Sequence, residues 1–218
     1  MDQASDGKKR VFLADDHAVV REGLAALIDR TGQFEVVGQC GDGLAVVDQV
    51  RATAPDVVVL DVAMPGLNGV DICRELGRKV PGAAVLILSM HDGEEFIIRS
   101  FENGALGYLL KESAGAELAE ALRTVAAGQR YLGPGISGAL LGRLHKGASD
   151  SYELLTTRER QVLQLIAEGN TNKKIAQILQ LAVKTVDTHR MRLMNKLDIH
   201  DQTTLVKFAV SRGIVSSS

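Results

Sequence analysis

Val57-Val58-Val59-Leu60-Asp61-Val62-Ala63-Met64-Pro65-Gly66-Leu67-Asn68-Gly69 runs four apolar residues into one carboxylate, then into a loop punctuated by Pro65, Gly66 and Gly69. A continuous β-branched run predicts a strand covered on both faces, as in parallel sheets. Asp61 then falls at the strand's carboxyl end, where open α/β sheets hold their ligands. Taken alone, the same Asp reads equally well as a turn former after a strand.

Upstream and downstream stretches repeat the pattern. Val11-Phe12-Leu13-Ala14 ends in Asp15-Asp16, and a helical stripe of Val20, Leu24, Leu27 and Ile28 follows. Phe34–Gln39 is apolar, and Gly43–Ala52 reads as a helix. Val70–Arg78 reads as a helix after the Asp61 strand. Ala84–Leu88 ends in Ser89, with a helix predicted over Glu94–Glu102. Gly107–Leu110 ends in Lys111, and Ala114–Ala127 closes the unit as a helix. Strand and helix alternate five times, which predicts a doubly wound α/β fold with a parallel sheet. The five-stranded order 2-1-3-4-5 places the ends of strands 1 and 3 together at its switch point. That order gathers Asp15, Asp16, Asp61, Ser89 and Lys111 at one edge.

Their chemistry is consistent. Three carboxylates in a small space repel one another and resist ionising. A hard divalent cation such as Mg²⁺ relieves this. Asp61 could then act as a carboxylate nucleophile toward a phosphoryl group, with Lys111 neutralising charge on the transferred oxygens and Ser89 donating to one of them. Each residue also has a plain role: Lys111 as a solvated lysine, Ser89 as a turn former, Asp15-Asp16 as a helix N-cap.

The composition bounds the rest. At 218 residues with 45% hydrophobic content, the chain is expected to form two folded domains. It has no Trp, and 4% aromatics argue against a stacking platform for single-stranded nucleic acid. Cys40 and Cys73 form no metal spacing and no disulfide framework, so a reducing cytoplasm is expected. No signal peptide and no membrane span are read. Residues 1–152 carry 15 Lys and Arg against 21 Asp and Glu, whereas residues 153–218 carry 10 against 6. An acidic front and a basic back suggest two jobs, the second with a polyanion.

The basic end carries its own pattern. Thr156-Thr157-Arg158-Glu159 has capping-box form, opening a helix that Gly169-Asn170 stops. A second helix is predicted from Asn172, a break at 180–182, a third helix over Val183–Leu197, and a fourth over Thr203–Arg212. A tight break between the second and third helices suggests a helix-turn-helix. The third helix would enter the major groove with Lys184, Asp187, Thr188 and Met191 outward. Arg190, Arg192 and Lys196 flank that face, and Lys173 and Lys174 open the second helix, all within reach of phosphates. His189 lies on the apolar stripe and is expected to be partly buried. A solvated basic face is the competing reading.

Asp15-Asp16, the Asp61-x-x-Met64-Pro65-x-x-x-Gly69 loop, Ser89, Tyr108 and Lys111 resemble the receiver domain of two-component response regulators over residues 9–127. The resemblance implies that Asp61 is phosphorylated from a histidine kinase. It also implies that Asp16 binds Mg²⁺ together with Asp61, with Asp15 assisting through water, that the Ala63 backbone carbonyl is a further ligand, and that Ser89 and Tyr108 form a switch pair. Many relatives carry a polar side chain where Ala63 stands, which bears on the phosphoryl's lifetime. Leu155-Thr156-x-Arg158-Glu159, Gly169-x-x-Asn172-Lys173-x-Ile175-Ala176 and Thr185-Val186-x-x-His189 resemble the LuxR-type DNA-binding domain of NarL and FixJ regulators over 153–215. This adds Asn172 and Thr185 to the expected DNA-binding residues. It implies a homodimer on promoter DNA. Residues 128–152 read as a linker with a helical island at Leu140, Leu141 and Leu144, ending flexibly over 146–152. Three alternatives remain open at this point. One is an aspartyl-phosphate phosphatase, disfavoured because that class wants an acid where Ala63 stands. The second is a regulator of LuxR type that responds to a small molecule. The third is a receiver acting without phosphate.

Overall fold

The computed structural model describes residues 7–134, 136 and 151–215. They fall in two compact units.

The first unit alternates strands and helices: β1 (Lys9–Ala14), α1 (Ala18–Asp29), β2 (Phe34–Cys40), α2 (Val46–Thr53), β3 (Val57–Asp61), α3 (Gly69–Lys79), β4 (Ala84–Ser89), α4 (Glu94–Glu102), β5 (Gly107–Leu110), α5 (Ala114–Ala126) and β6 (Tyr131–Leu132). Every pairing is parallel, in the order β2-β1-β3-β4-β5-β6. All five residues of β3 are buried, as the unbroken apolar run requires. Side chains alternate across the sheet. Val11, Leu13, Val57, Val59, Leu86 and Leu88 share a core with Ile28 of α1 and Leu118, Leu122 and Val125 of α5. Phe12, Val58, Leu60 and Ile87, at the intervening positions, are fully buried as well.

Several bounds and the strand count differ from the sequence reading. Helix α2 starts at Val46 rather than Gly43, because Asp42 turns the chain first. Its side chain accepts from Leu44 N at 3.0 Å and its carbonyl from Ala45 N at 3.0 Å. The sheet has six strands rather than five. The sixth comes from the segment read as linker: Tyr131 N donates to Leu106 O at 2.9 Å and Gly133 N to Tyr108 O at 2.9 Å. The Tyr131 hydroxyl donates to Glu117 Oε2 at 2.7 Å, tying β6 to α5. Of the rest of that segment, the expected helical island at 140–144 lies outside the described residues. Ser151 and Tyr152 correct the expectation of a flexible end. They open a 3-10 turn (Ser151–Leu154) in which Tyr152 is fully buried, under the Arg160 guanidinium at 4.3 Å and beside Phe208.

The second unit holds α6 (Thr157–Ala167), α7 (Asn172–Leu179), α8 (Val183–Leu197) and α9 (Gln202–Ser211). Val162, Leu163, Ile175, Val186, Leu193 and Leu205 are fully buried. The capping box is formed: Glu159 N donates to Thr156 Oγ1 at 3.3 Å, and Thr156 N to Glu159 Oε2 at 2.8 Å. Thr171 caps α7, and α7 ends at Gln180 in the left-handed conformation, φ 54°. That residue makes the tight break before α8. Asp201 caps α9 by accepting from Thr204 N, which sets the helix start at Gln202.

Candidate functional site

Parallel pairing of β1 on β3 sets Ala14 opposite Leu60, so Asp15 and Asp61 leave their strands at the same level. Both are buried, 2% and 3% exposed, while the Asp16 side chain is 36% exposed. Lys111 follows β5 directly, and its Nζ lies 2.9 Å from Asp61 Oδ2 and 2.6 Å from Asp15 Oδ2. The first contact is a hydrogen bond as well as an ion pair; the second lacks hydrogen-bond alignment. The Ala63 N–H also donates to the Asp61 carboxylate. Fully buried Ser89 ends β4, next to β3. The expected cluster of Asp15, Asp61 and Lys111 is therefore assembled, with Ser89 and Ala63 at the same strand ends.

Burial raises the Asp61 pKa, and the Asp15 charge adds to this; Lys111 and the Ala63 N–H pull the other way without cancelling it. For Lys111, burial disfavours the ammonium, but Asp15 and Asp61 outweigh that and hold it protonated. Ionised Asp61 therefore costs the folded state energy. That cost is absent below the ordinary carboxylate value of 3.8 and grows as pH rises through the raised one. Asp61→Asn is thus expected to raise the unfolding temperature by a few degrees at pH 7, with the gain vanishing near pH 3.5. Thermal unfolding of both proteins across that range checks the sign.

Ligand atoms of Asp15, Asp16, His17 and Asp61 all lie within 4.8 Å of one another. Three carboxylates this close, two of them buried, are a donor set for a hard divalent cation, so the residues fit Mg²⁺. The sequence reading missed His17. Its Nδ1 is 2.6 Å from Asp16 Oδ1, and its N–H donates to Asp15 Oδ1 at 2.9 Å. The only earlier signal was its place directly after the acidic pair.

Tyr108 is fully buried, its hydroxyl donating to His91 O at 2.7 Å. His91 N donates to Ser89 Oγ at 3.0 Å. Burial pushes the Tyr108 phenol up to about 12, so it stays a donor at any physiological pH. The 89–91 turn thus ties together the two residues read as a switch pair.

On the helical unit, Lys173, Lys174, Lys184 and Arg192 are exposed, and Met191 is 59% exposed on α8. Thr185 is half-buried, and the Thr188 hydroxyl donates back to Lys184 O. Three expected contacts are engaged inside the unit. Asn172 donates to Asp187 Oδ1 at 2.6 Å, and Arg190 donates to Asn172 Oδ1 and Gln202 Oε1 at 3.3 and 3.0 Å. Lys196 Nζ lies 2.6 Å from Glu159 Oε2 and donates to Leu154 O at 3.0 Å. His189 is half-buried, as its place on the apolar stripe predicts.

Residues 11–123 match the response regulator receiver domain, and residues 153–209 match the bacterial regulatory proteins of the luxR family. The chain is a LuxR-type response regulator. Transcriptional regulatory protein MctR of Rhizobium johnstonii is 39% identical over 209 residues, 96% of each chain. The DNA-binding transcriptional activator DevR/DosR of Mycobacterium tuberculosis is 40% identical over 202 residues, 92% of this chain and 93% of its own. The crystal structure of ChrA, a response regulator in a heme-sensing two-component system, is 34% identical with a TM-score of 0.52, covering 96% of this regulator and all of ChrA. The regulator therefore couples a receiver to a LuxR-type DNA-binding domain, the layout of two-component transcription control. Among its described residues no helix is long and apolar enough to cross a membrane.

Proposed function

We propose that this regulator accepts a phosphoryl group on Asp61 from a histidine kinase and thereby switches its binding to promoter DNA. The observation that carries this reading is the Lys111 ammonium held between two buried carboxylates, Asp15 and Asp61, at the sheet's carboxyl edge. An Asp61 oxygen attacks phosphorus as the donor's P–N bond breaks. Lys111 favours the ionised form of Asp61 and neutralises the incoming oxygens. Asp15, Asp16, Asp61 and the Ala63 carbonyl would hold Mg²⁺, which supplies further positive charge to the phosphoryl when bound. The Ser89 hydroxyl leaves His91 N for the phosphoryl, and the turn that anchors Tyr108 moves with it. Intact mass after incubation with acetyl phosphate and Mg²⁺ tests this. One phosphoryl is expected on the wild type and none on Asp61→Ala, and an unmodified wild type would refute the reading.

The output is a homodimer whose two α8 helices enter successive major grooves of a promoter in the cytoplasm. Lys173, Lys174, Lys184 and Arg192 contact phosphates, while Thr185, Thr188 and Met191 face the bases. Asn172 and Arg190, bonded to each other, brace α8 from α7 and α9, and Lys196 supports the capping box behind it. Lys184→Ala and Arg192→Ala are each expected to lower the salt slope of DNA binding by about one. Lys196→Ala is expected to leave the slope nearly unchanged and lower the unfolding temperature. Titrations at several salt concentrations separate these outcomes.

A further inference from the structure

We propose that Arg21 is a positioning residue for this site: its guanidinium holds the Asp15–Asp16 peptide so that both carboxylates meet the cation beside Asp61. The proposal rests on the phosphoacceptor reading above. Arg21 is the fourth residue of α1 (Ala18–Asp29), and helical side chains lean toward the helix N-terminus. Here that lean carries Nη1 to 2.5 Å from the Asp15 carbonyl oxygen. Besides the Lys111 ion pair on its Oδ2, Asp15 is then held at three points. Its N–H donates to Cys40 O at 3.1 Å, its Oδ1 accepts from His17 N at 2.9 Å, and its carbonyl accepts from Arg21. The first two fix its strand end and its side chain. The third fixes the plane of the peptide that leads into Asp16, and so the direction from which Asp16 approaches.

Two further observations support a role beyond packing. Gly41 faces this guanidinium, and a Cβ built there would lie 3.0 Å from Arg21 Nη1 and 3.6 Å from Asp15 O. A glycine at the end of β2 therefore keeps the place open for Arg21. The Arg21 Nε–H is buried and has no hydrogen-bond partner. A buried unpaired donor costs stability. The geometry leaves Nε unpaired while presenting Nη1 to the Asp15 carbonyl.

Groups that orient metal ligands without touching the metal typically govern 10–100-fold in affinity. The test uses the full chain and calorimetric titration with Mg²⁺, alongside phosphoryl uptake by mass and thermal unfolding. Arg21→Met, which keeps length and removes the donors, is expected to bind Mg²⁺ at least ~10-fold more weakly. Its unfolding temperature should stay within a few degrees of wild type. Arg21→Lys restores one donor and is expected to recover part of the affinity, which a packing role would not require. Should Arg21→Met fail to fold, Gly41→Ala crowds Nη1 instead and is expected to weaken Mg²⁺ by a smaller factor. Affinity within twofold of wild type in Arg21→Met, or in Gly41→Ala where that variant stands in, overturns the proposal while leaving the phosphoacceptor intact. A wild type that neither binds Mg²⁺ nor takes up phosphoryl overturns both.

Discussion

Lys111→Met is expected to lower the rate of phosphoryl uptake by about 100-fold or more and to destabilise the receiver at neutral pH. The methionine fills the same space, so the loss is electrostatic. Lys111 Nζ sits 2.6 Å from Asp15 Oδ2 and 2.9 Å from Asp61 Oδ2, and its removal leaves two carboxylates of 2% and 3% exposure facing each other. Breaking a buried ion pair from one side costs roughly 3–5 kcal/mol. The pH dependence has a definite shape. Asp61 is already raised by burial and by Asp15, and without the ammonium it rises further. The folded variant therefore recovers stability as falling pH protonates the carboxylates. At the alkaline end, Lys111 in the wild type has a raised pKa, so its stabilisation is complete below the ordinary value of 10.5 and is lost above it. The stability gap between the two proteins should be widest at neutral and mildly alkaline pH and close on both sides. Thermal unfolding against pH reads the gap, and uptake from acetyl phosphate reads the rate. Unchanged uptake would show that Lys111 takes no part in the transfer.

Gly69→Ala should be nearly as damaging, for a steric reason. A Cβ at position 69 would lie 2.0 Å from the Asp61 carbonyl oxygen, 2.8 Å from its carbonyl carbon and 2.9 Å from Val62 Cα. These are backbone atoms of the strand end that presents Asp61, so no side-chain rotation relieves the clash. The Gly69 N–H also donates to Val62 O at 2.9 Å, locking the loop closed on itself. Overpacking of this kind costs about 3 kcal/mol or more. We expect the receiver's unfolding temperature to fall by roughly 5–12 °C, with phosphoryl uptake reduced because Asp61 itself must move. Gly77 of the same helix is the control. A Cβ there meets nothing within 4 Å, so Gly77→Ala should stabilise by about 0.5–1 kcal/mol. Equal behaviour of the two variants would refute the close-approach argument.

Gly69 was legible in the sequence as loop punctuation and as part of the receiver-like motif, but its close approach to the Asp61 backbone was not. The strand-end carboxylates, Ser89 and Lys111 could be placed from the sequence because period and topology are local properties. An apolar run ending in a polar residue names a strand end, and parallel alternation brings strands 1 and 3 together. The capping box at Thr156 and Glu159 was equally legible, since it is a contact between residues three apart. The two-residue strand β6 was not, because two residues carry no periodicity. It forms because Tyr108 O of β5 and Leu106 O just before that strand stand as acceptors.

The basic residues of α8 show the same division within one helix. Their spacing from the apolar stripe sets Lys184 on the outward side and Arg190, Arg192 and Lys196 at its flanks, all within expected reach of phosphates. Yet Lys196 turns its ammonium onto Glu159, 37 residues away, and Arg190 reaches Asn172 and Gln202 on other helices. The sequence by itself determined the two-domain layout, the acidic edge and its lysine, and the basic third helix of the C-terminal unit, since each follows from residues near one another or from strand order. Tertiary structure alone decided which of these cations bond inside the unit, where a Cβ cannot fit, and that Arg21 grips Asp15. Those depend on distances between atoms that folding brings together, and linear spacing carries no record of them.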